Sequence, residues 1–328
     1  MIADFAPAET IWFGWPSARA PWGAAFDAER AEFATAINAF IGATAPFEPV
    51  VVVAADASSA EAARAALSAE AEVVEIPFGD VWLCDLTPLP TRKGWVAPRF
   101  NGWGGKFVYP GDADFGSALA RRLDLALTPL DLVLEGGALT TDGEGTVLTT
   151  RACVLNPNRN PGLSEAEAET RLAAALDLQQ ILWLDDGLAW DETDGHIDNL
   201  ARFVAPGRIA VAQAFGEDDP NAGVYAAAWE RLSAARDARG RRLELIAIPS
   251  PGRRLGADGA PVAASAMNFV VGVHRVLVPL YGAASDTAAL DAIGAAFPDH
   301  DVVGARADAI LTGGGAFHCA SFRLPKGF

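Results

Sequence analysis

Four short polar segments hold the residue types that could do nucleophilic and acid–base chemistry. They are Trp82-Leu83-Cys84-Asp85-Leu86-Thr87-Pro88, Leu134-Glu135-Gly136-Gly137, Asp194-Gly195-His196-Ile197-Asp198-Asn199 and Gly313-Gly314-Gly315-Ala316-Phe317-His318-Cys319. Cys319 is the best nucleophile candidate, because the three glycines before it read as a loop rather than strand or helix. His196 and Asp198 are two apart, so on extended backbone a base and a carboxylate would point to one face. Glu135 closes the apolar run LDLVL, which draws its carboxylate inward. A buried carboxylate needs a partner, and a histidine is a natural one because a carboxylate sets its tautomer and orientation. On extended backbone the adjacent His318 points away from Cys319.

Structural readings stand beside these. A single histidine on a strand can be a satisfied structural group, Asp85 a turn or cap residue, and GGG a flexible turn. Cys153 lies in an apolar stretch read as strand and is expected to be a core thiol, while Cys84 beside Asp85 is open to either reading. The glycine run is not followed by a GK[ST] phosphate loop. A metal site is not expected: there is no CxxC or HxxxH spacing, and histidines stand only at 196, 274, 300 and 318. Trp12, Trp15, Trp22, Trp82, Trp95 and Trp103 crowd the first third, where some could line a pocket as faces for a cation. Spacing alone therefore describes a Cys/His/carboxylate enzyme.

The elements around these segments repeat. TVLTT (from 146) and ACVLN (from 152) read as two strands, Ser164–Glu167 as a capping box opening a helix to about Leu178, and QILWL (180–184) as a third strand. The same order recurs with HIDNLARFVAP and GRIAVAQA (196–214), a helix capped by Asn221 and stopped near Gly240, and RLELIAIP (242–249). A third copy runs through MNFVVGV, VLVPLYG, a helix over about 285–296 and DVVGA. Helices near 27–42 and 59–69 with strands at 49–54 and 72–76 fit one blurred copy, and helix 113–126 with strand 131–134 another. A period near 50–60 residues points to radial repetition, with an ordinary α/β sandwich as the alternative. In a radial array the polar seams between copies would meet at one axis.

Composition narrows the function classes. The chain has 328 residues, 51% hydrophobic and 20% charged, long enough for one large α/β unit or two ordinary domains. Its net charge of −17 argues against nucleic acid and anionic membrane surfaces and suits a cationic ligand. Three cysteines offer no disulfide framework, the first residues lack the pattern of a signal peptide, and no apolar stretch reaches 18 residues. Together these make a cytoplasmic protein the expectation.

The segments TIWFGWPS (10–17), WLCDLTPLP (82–90), FNGWGGK (100–106), LEGGALTTDGEGTVLTTRACVLNPNRNP (134–161), DETDGHIDNLARFVAPG (191–207), MNFVVGVHRVLVPLYG (267–282) and GGGAFHC (313–319) together resemble the agmatine deiminase and bacterial-type peptidyl-arginine deiminase family of the guanidine-modifying, or pentein, superfamily. They run in order through nearly the whole chain. The resemblance implies an α/β fold in which five ββαβ blades, with pseudo-fivefold symmetry, surround a central active site in a single catalytic domain over residues 1–328. It implies Cys319 as nucleophile, His196 as general acid/base, Glu135 orienting His196, Asp85 and Asp198 gripping a guanidinium, and Trp82 and Trp103 as channel walls. It implies a small cationic guanidine as substrate and no metal or organic cofactor. A homo-oligomer is compatible with it.

Departures from the family pattern are Cys84 where an arginine is usual, Thr87 in place of a smaller residue, Ala266 where a tyrosine is common, and the segment 320–325 with Phe322 and Arg323. They leave the five chemical residues in place and alter the rim. Agmatine is the favoured substrate. Arginine, peptidyl-arginine or another alkylguanidine is the alternative, followed by a non-catalytic pentein-like binding protein and by an amidino transferase sharing the first half-reaction.

Overall fold

The computed structural model describes residues 1–17, 21–22, 26–256 and 259–327. Among them are five sheets that share one plan, an antiparallel pair extended by a parallel strand. The first joins the two ends of the chain: β1 (Ala8–Gly14) lies antiparallel to β18 (Ser321–Pro325) and parallel to β2 (Val50–Ala54), which in turn pairs with β3 (Glu72–Glu75). The others are β4 (Leu89–Thr91), β5 (Gly94–Arg99) and β6 (Leu127–Val133); β7 (Thr140–Thr141), β8 (Thr146–Thr150) and β9 (Gln180–Leu184); β10 (Ala201–Ala205), β11 (Arg208–Gln213) and β12 (Glu244–Pro249); and β15 (Val270–Val271), β16 (Arg275–Leu280) and β17 (Asp301–Arg306). A small hairpin, β13 (Arg254–Leu255) with β14 (Pro261–Val262), stands apart.

Each parallel step needs a long crossover, and a helix supplies it. Asp27–Ile41 joins β1 to β2, Asp112–Leu123 joins β5 to β6, Glu165–Leu176 joins β8 to β9, Ala222–Ala234 joins β11 to β12, and Asp286–Ala296 joins β16 to β17. The capping box at Ser164 forms with Glu167 as its reciprocal partner. Asn221 stands at its helix start, but its side chain accepts from the Ala189 N–H at 2.7 Å instead of capping the helix. That helix also ends at Ala234, short of Gly240. The wholly apolar run Val50–Val53 is buried residue for residue, as a strand covered on both faces must be. No helix among the described residues is long and apolar enough to cross a membrane.

Two further local expectations are overturned. ACVLN is not a strand, because Thr150 accepts from the Cys153 N–H and opens a helical turn, Arg151–Val154. Extended backbone begins only at Ala201 in the next copy, and Ile197–Asn199 is a single 3-10 turn. In both places a hydroxyl or a tight turn beside the central seam wins over β propensity.

Candidate active site

The segments between sheets carry the candidate residues, and small residues let them approach. Asp85 sits in the turn Leu83–Leu86, which is tied to the Cys319 segment by Cys84 N–H donating to the Cys319 carbonyl at 3.1 Å. Glu135 follows β6 and opens the turn Gly136–Ala138. A Cβ on Gly136 would lie 2.1 Å from the Cys84 carbonyl oxygen. On Gly137 it would lie 2.6 Å from His196 Nδ1 and 3.1 Å from both Asp198 Oδ2 and Asp85 Oδ1. Gly137 is therefore the point around which three side chains from separate segments converge, and any larger residue would push them apart.

His196 is fully buried, with Nδ1 3.8 Å from Asp85 Oδ1 and Nε2 3.8 Å from Glu135 Oε2. Neither ring nitrogen has a hydrogen-bond partner. Although the turn is not extended, His196 and Asp198 still face one centre, since both would meet the same added methyl at Gly137. Asp85 is held by the Trp103 indole N–H at 2.9 Å and the Gly137 N–H at 2.9 Å. The Cys319 thiol donates to Asp198 Oδ2 at 3.5 Å, and Asn268 Nδ2 approaches its sulfur at 3.0 Å.

Three partners were not singled out by sequence reasoning, and a fourth, His318, was expected to point elsewhere. Asn268 bridges Cys319 and Asn199, donating to Asn199 Oδ1 at 3.0 Å and accepting from the Cys319 N–H at 3.2 Å. It starts the third copy, so the seam rule that found Asp198 could have found it. Arg159 has no exposed side-chain surface and donates from Nε to Glu135 Oε1 at 2.9 Å, from a terminal nitrogen to the Thr193 carbonyl at 2.9 Å, and to Asp194. His318, expected to point away from the site, instead places Nδ1 2.8 Å from Asp198 Oδ2 and Nε2 3.3 Å from Asp4 Oδ2. Asp4 reaches in from the N-terminal segment and also takes Arg202 at 2.8 Å. Neither Arg159 nor Asp4 carries a local signal, because an arginine in a loop and an aspartate near a terminus usually face water.

The charges are strongly coupled. Burial, followed by the Asp198 and Asp85 carboxylates, pushes the Cys319 thiol far above its ordinary value. Burial works against the His196 imidazolium, yet Asp85 and then Cys153 and Glu135 outweigh it and hold the imidazole well above its usual range. Burial raises Asp85. Glu135 and Asp198 stay below the usual carboxylate range despite burial, through His196 and Arg159 for the first and His318 for the second.

A cavity of about 250 Å³ opens onto Cys319 and Asp85. Trp82 and Trp103 both line it, as does Trp22, which meets Trp82 edge to face at 5.9 Å. The glycines before Cys319 lie under these rings: a Cβ on Gly313 would be 2.5 Å from Trp22, and one on Gly315 would be 2.8 Å from Trp82. The described lining holds two further carboxylates, Asp80 and Glu192, and no basic side chain. Burial raises Asp80 to about 7, although the Trp22 indole donates to it at 2.9 Å. Cys153, expected in a strand, is buried in its helical turn close behind His196.

Comparison with known proteins places this arrangement. A sequence model described as Porphyromonas-type peptidyl-arginine deiminase matches residues 1–325. A protein of Marinomonas sp. named "Putative agmatine deiminase" is 35% identical over 356 residues, covering 99% of this chain and 94% of its own. Among solved structures, the agmatine deiminase of Enterococcus faecalis superposes with a TM-score of 0.91 at 30% identity, covering 99% of this chain and 95% of its own. The agmatine deiminase of C. jejuni with substrate bound superposes at 0.87 with 26% identity, covering 100% and 96%. A dimethylarginine dimethylaminohydrolase, 13% identical with a TM-score of 0.53 and coverage of 97% and 100%, shares the fold.

Proposed function

Because the chain belongs to the Porphyromonas-type peptidyl-arginine deiminase family, we propose that it is a hydrolase of linear amidines that converts agmatine to N-carbamoylputrescine and ammonia. The observation that carries this is the meeting of Asp198, Asp85 and His196 around Gly137, with the Cys319 thiol on Asp198 and both Cys319 and Asp85 lining an acidic, aromatic pocket. The reading includes the radial one for the fold: five sheets of one plan act as blades in a single domain over residues 1–328, and their seams supply the site.

A guanidinium is a planar fork of donors, and Asp85 and Asp198 accept from it on either side. Its positive charge offsets the two carboxylates that hold the Cys319 thiol protonated, so the thiol releases its proton to solvent as substrate binds and the nucleophilic thiolate forms where the substrate sits. The sulfur attacks the guanidinium carbon and gives a tetrahedral adduct. His196, held as imidazolium, gives a proton to the departing ammonia as the C–N bond breaks and an S-alkyl thiouronium remains. The neutral imidazole then takes a proton from a water molecule whose oxygen adds to the same carbon. Loss of the thiolate, with the remaining hydroxyl proton passing to solvent, leaves the ureido product. Glu135, itself held by Arg159, orients the imidazole.

The tail preference follows from the pocket above the floor. Asp80 and Glu192 suit the terminal ammonium of agmatine and disfavour an α-carboxylate beside them. Trp82 and Trp103 wall the methylene chain. Incubation with agmatine, arginine, arginine peptides and other alkylguanidines, scored for ammonia and ureido product, tests the reading. Agmatine is expected to give the highest kcat/KM, and no turnover of any guanidine by folded protein would remove the proposal.

A further inference from the structure

We propose that the wall behind His196 is a binding site for a thiophilic divalent cation, zinc by its donor set, and that occupancy silences the catalytic imidazole. The binding half stands on geometry alone, while the silencing half rests on the function proposed above. One ligand atom each from Glu135, Cys153 and His196 lie within 4.8 Å of one another, and all three residues are buried. Glu135 Oε2 and His196 Nε2 face each other at 3.8 Å, and neither has a hydrogen-bond partner. Buried polar atoms left unpaired call for an explanation. One ring nitrogen, Nδ1, faces Asp85. Glu135 orients the ring from the Nε2 side, but across 3.8 Å, a gap that leaves both atoms short of a hydrogen bond and that a cation would fill.

One imidazole, one thiolate and one carboxylate form a three-ligand set that leaves a fourth position open for water. Zinc bonds of about 2.0–2.3 Å in a tetrahedron place donor atoms roughly 3.3–3.7 Å apart. The observed spacing thus needs closing by at most about 1.5 Å. Sulfur and nitrogen donors disfavour magnesium and calcium. The charges also close. The ion's two positive charges meet the Cys153 thiolate and the Glu135 carboxylate, while Arg159 on Glu135 Oε1 is offset by Asp85 beside the ring. On loading, the Cys153 thiol proton and the Nε2 proton leave to solvent. A coordinated, neutral imidazole no longer carries the proton destined for the departing ammonia. The three donors are fully buried, and the nearest pocket is lined by Asp85 and Thr193 beside the histidine, so loading needs local opening there and bound substrate should slow it.

Cobalt(II) is the direct probe, because thiolate coordination gives a near-ultraviolet charge-transfer absorption that needs no turnover. The full-length protein is expected to develop this band with one equivalent of cobalt and to lose it on addition of zinc. The band should persist in Cys319→Ser and vanish in Cys153→Ala. Cys153→Ser, which keeps the side-chain volume, serves the same purpose if the alanine variant does not fold. In parallel, zinc should inhibit turnover, and loss of the thiolate should raise the zinc needed by at least about ten-fold, with each variant scaled to its own metal-free rate. A band that disappears in Cys319→Ser and survives in Cys153→Ala would put the ion on the nucleophile and overturn the site. Absence of any thiolate band in the unaltered protein would do the same. If no guanidine is turned over, the cobalt titrations still decide the site, so the two proposals fail separately.

Discussion

Asp198→Asn isolates the charge that the proposed reaction needs most. The substitution keeps the size of a fully buried side chain and removes one negative charge. In the folded protein Asp198 Oδ2 is taken up by His318 at 2.8 Å and by the Cys319 thiol at 3.5 Å, whereas Oδ1 has no partner and is left for a ligand. Losing one member of a desolvated charged pair costs about 2–5 kcal/mol. At about 1.4 kcal/mol per decade this corresponds to roughly 30-fold to several thousandfold in kcat/KM for agmatine. Both kcat and KM should suffer, because the same carboxylate binds the guanidinium and orders its carbon against the sulfur. The fold should survive, since the amide oxygen can still accept from His318.

The acid limb gives a second readout. His318 holds the Asp198 carboxyl below its ordinary value despite burial. The carboxylate therefore stabilises the fold above its unfolded pKa, and that contribution is lost as pH falls through the folded value. The asparagine variant should show a shallower loss of stability in acid. Steady-state ammonia release and urea denaturation across pH measure both effects. A folded variant whose kcat/KM stays within about three-fold of the parent would refute the assignment of Asp198, because a lost charge-assisted bond cannot be that small.

Cys319→Ser should abolish turnover and leave the fold intact; substantial residual activity would move the nucleophile to Cys84. If Asp80 reads the tail ammonium, KM for agmatine should fall as pH rises through about 7, where the buried carboxyl loses its proton, and Asp80→Asn should flatten that trend. An equal pH trend in the variant excludes Asp80 from tail binding. Arg159→Met strands a buried Glu135 and should cost about 3–5 kcal/mol in denaturant unfolding, with activity falling as Glu135 loses its hold on His196. A stability change under about 1 kcal/mol would mean that Glu135 takes up its proton or finds another partner.

The residues with chemical potential and their place at the seams between copies were legible in the chain, as were the Ser164 capping box and the crossover helices after it. These are signals of short range: a cap three residues from its partner, a helical period, a polar break after an apolar run. Where short-range signals conflict, reading fails. ACVLN has β composition but follows Thr150, whose hydroxyl turns the backbone into a helical turn and carries Cys153 to the back of His196. β1, β4, β5 and β18 were not read as strands: β1 and β18 pair from opposite ends of the chain, and β4 is a three-residue strand that leaves β5 without a long local partner. His318 pairs with Asp198 across 120 residues and with Asp4 across 314, and Cys319 meets Asp198 across 121. Nothing within a few residues of either partner encodes such a meeting. Local composition and periodicity thus determined which elements form and which side chains are reactive in kind. Only the packing of the sheets decided which carboxylate faces which imidazole, since direction and distance between remote segments are set by the summed burial of the whole core rather than by any segment alone.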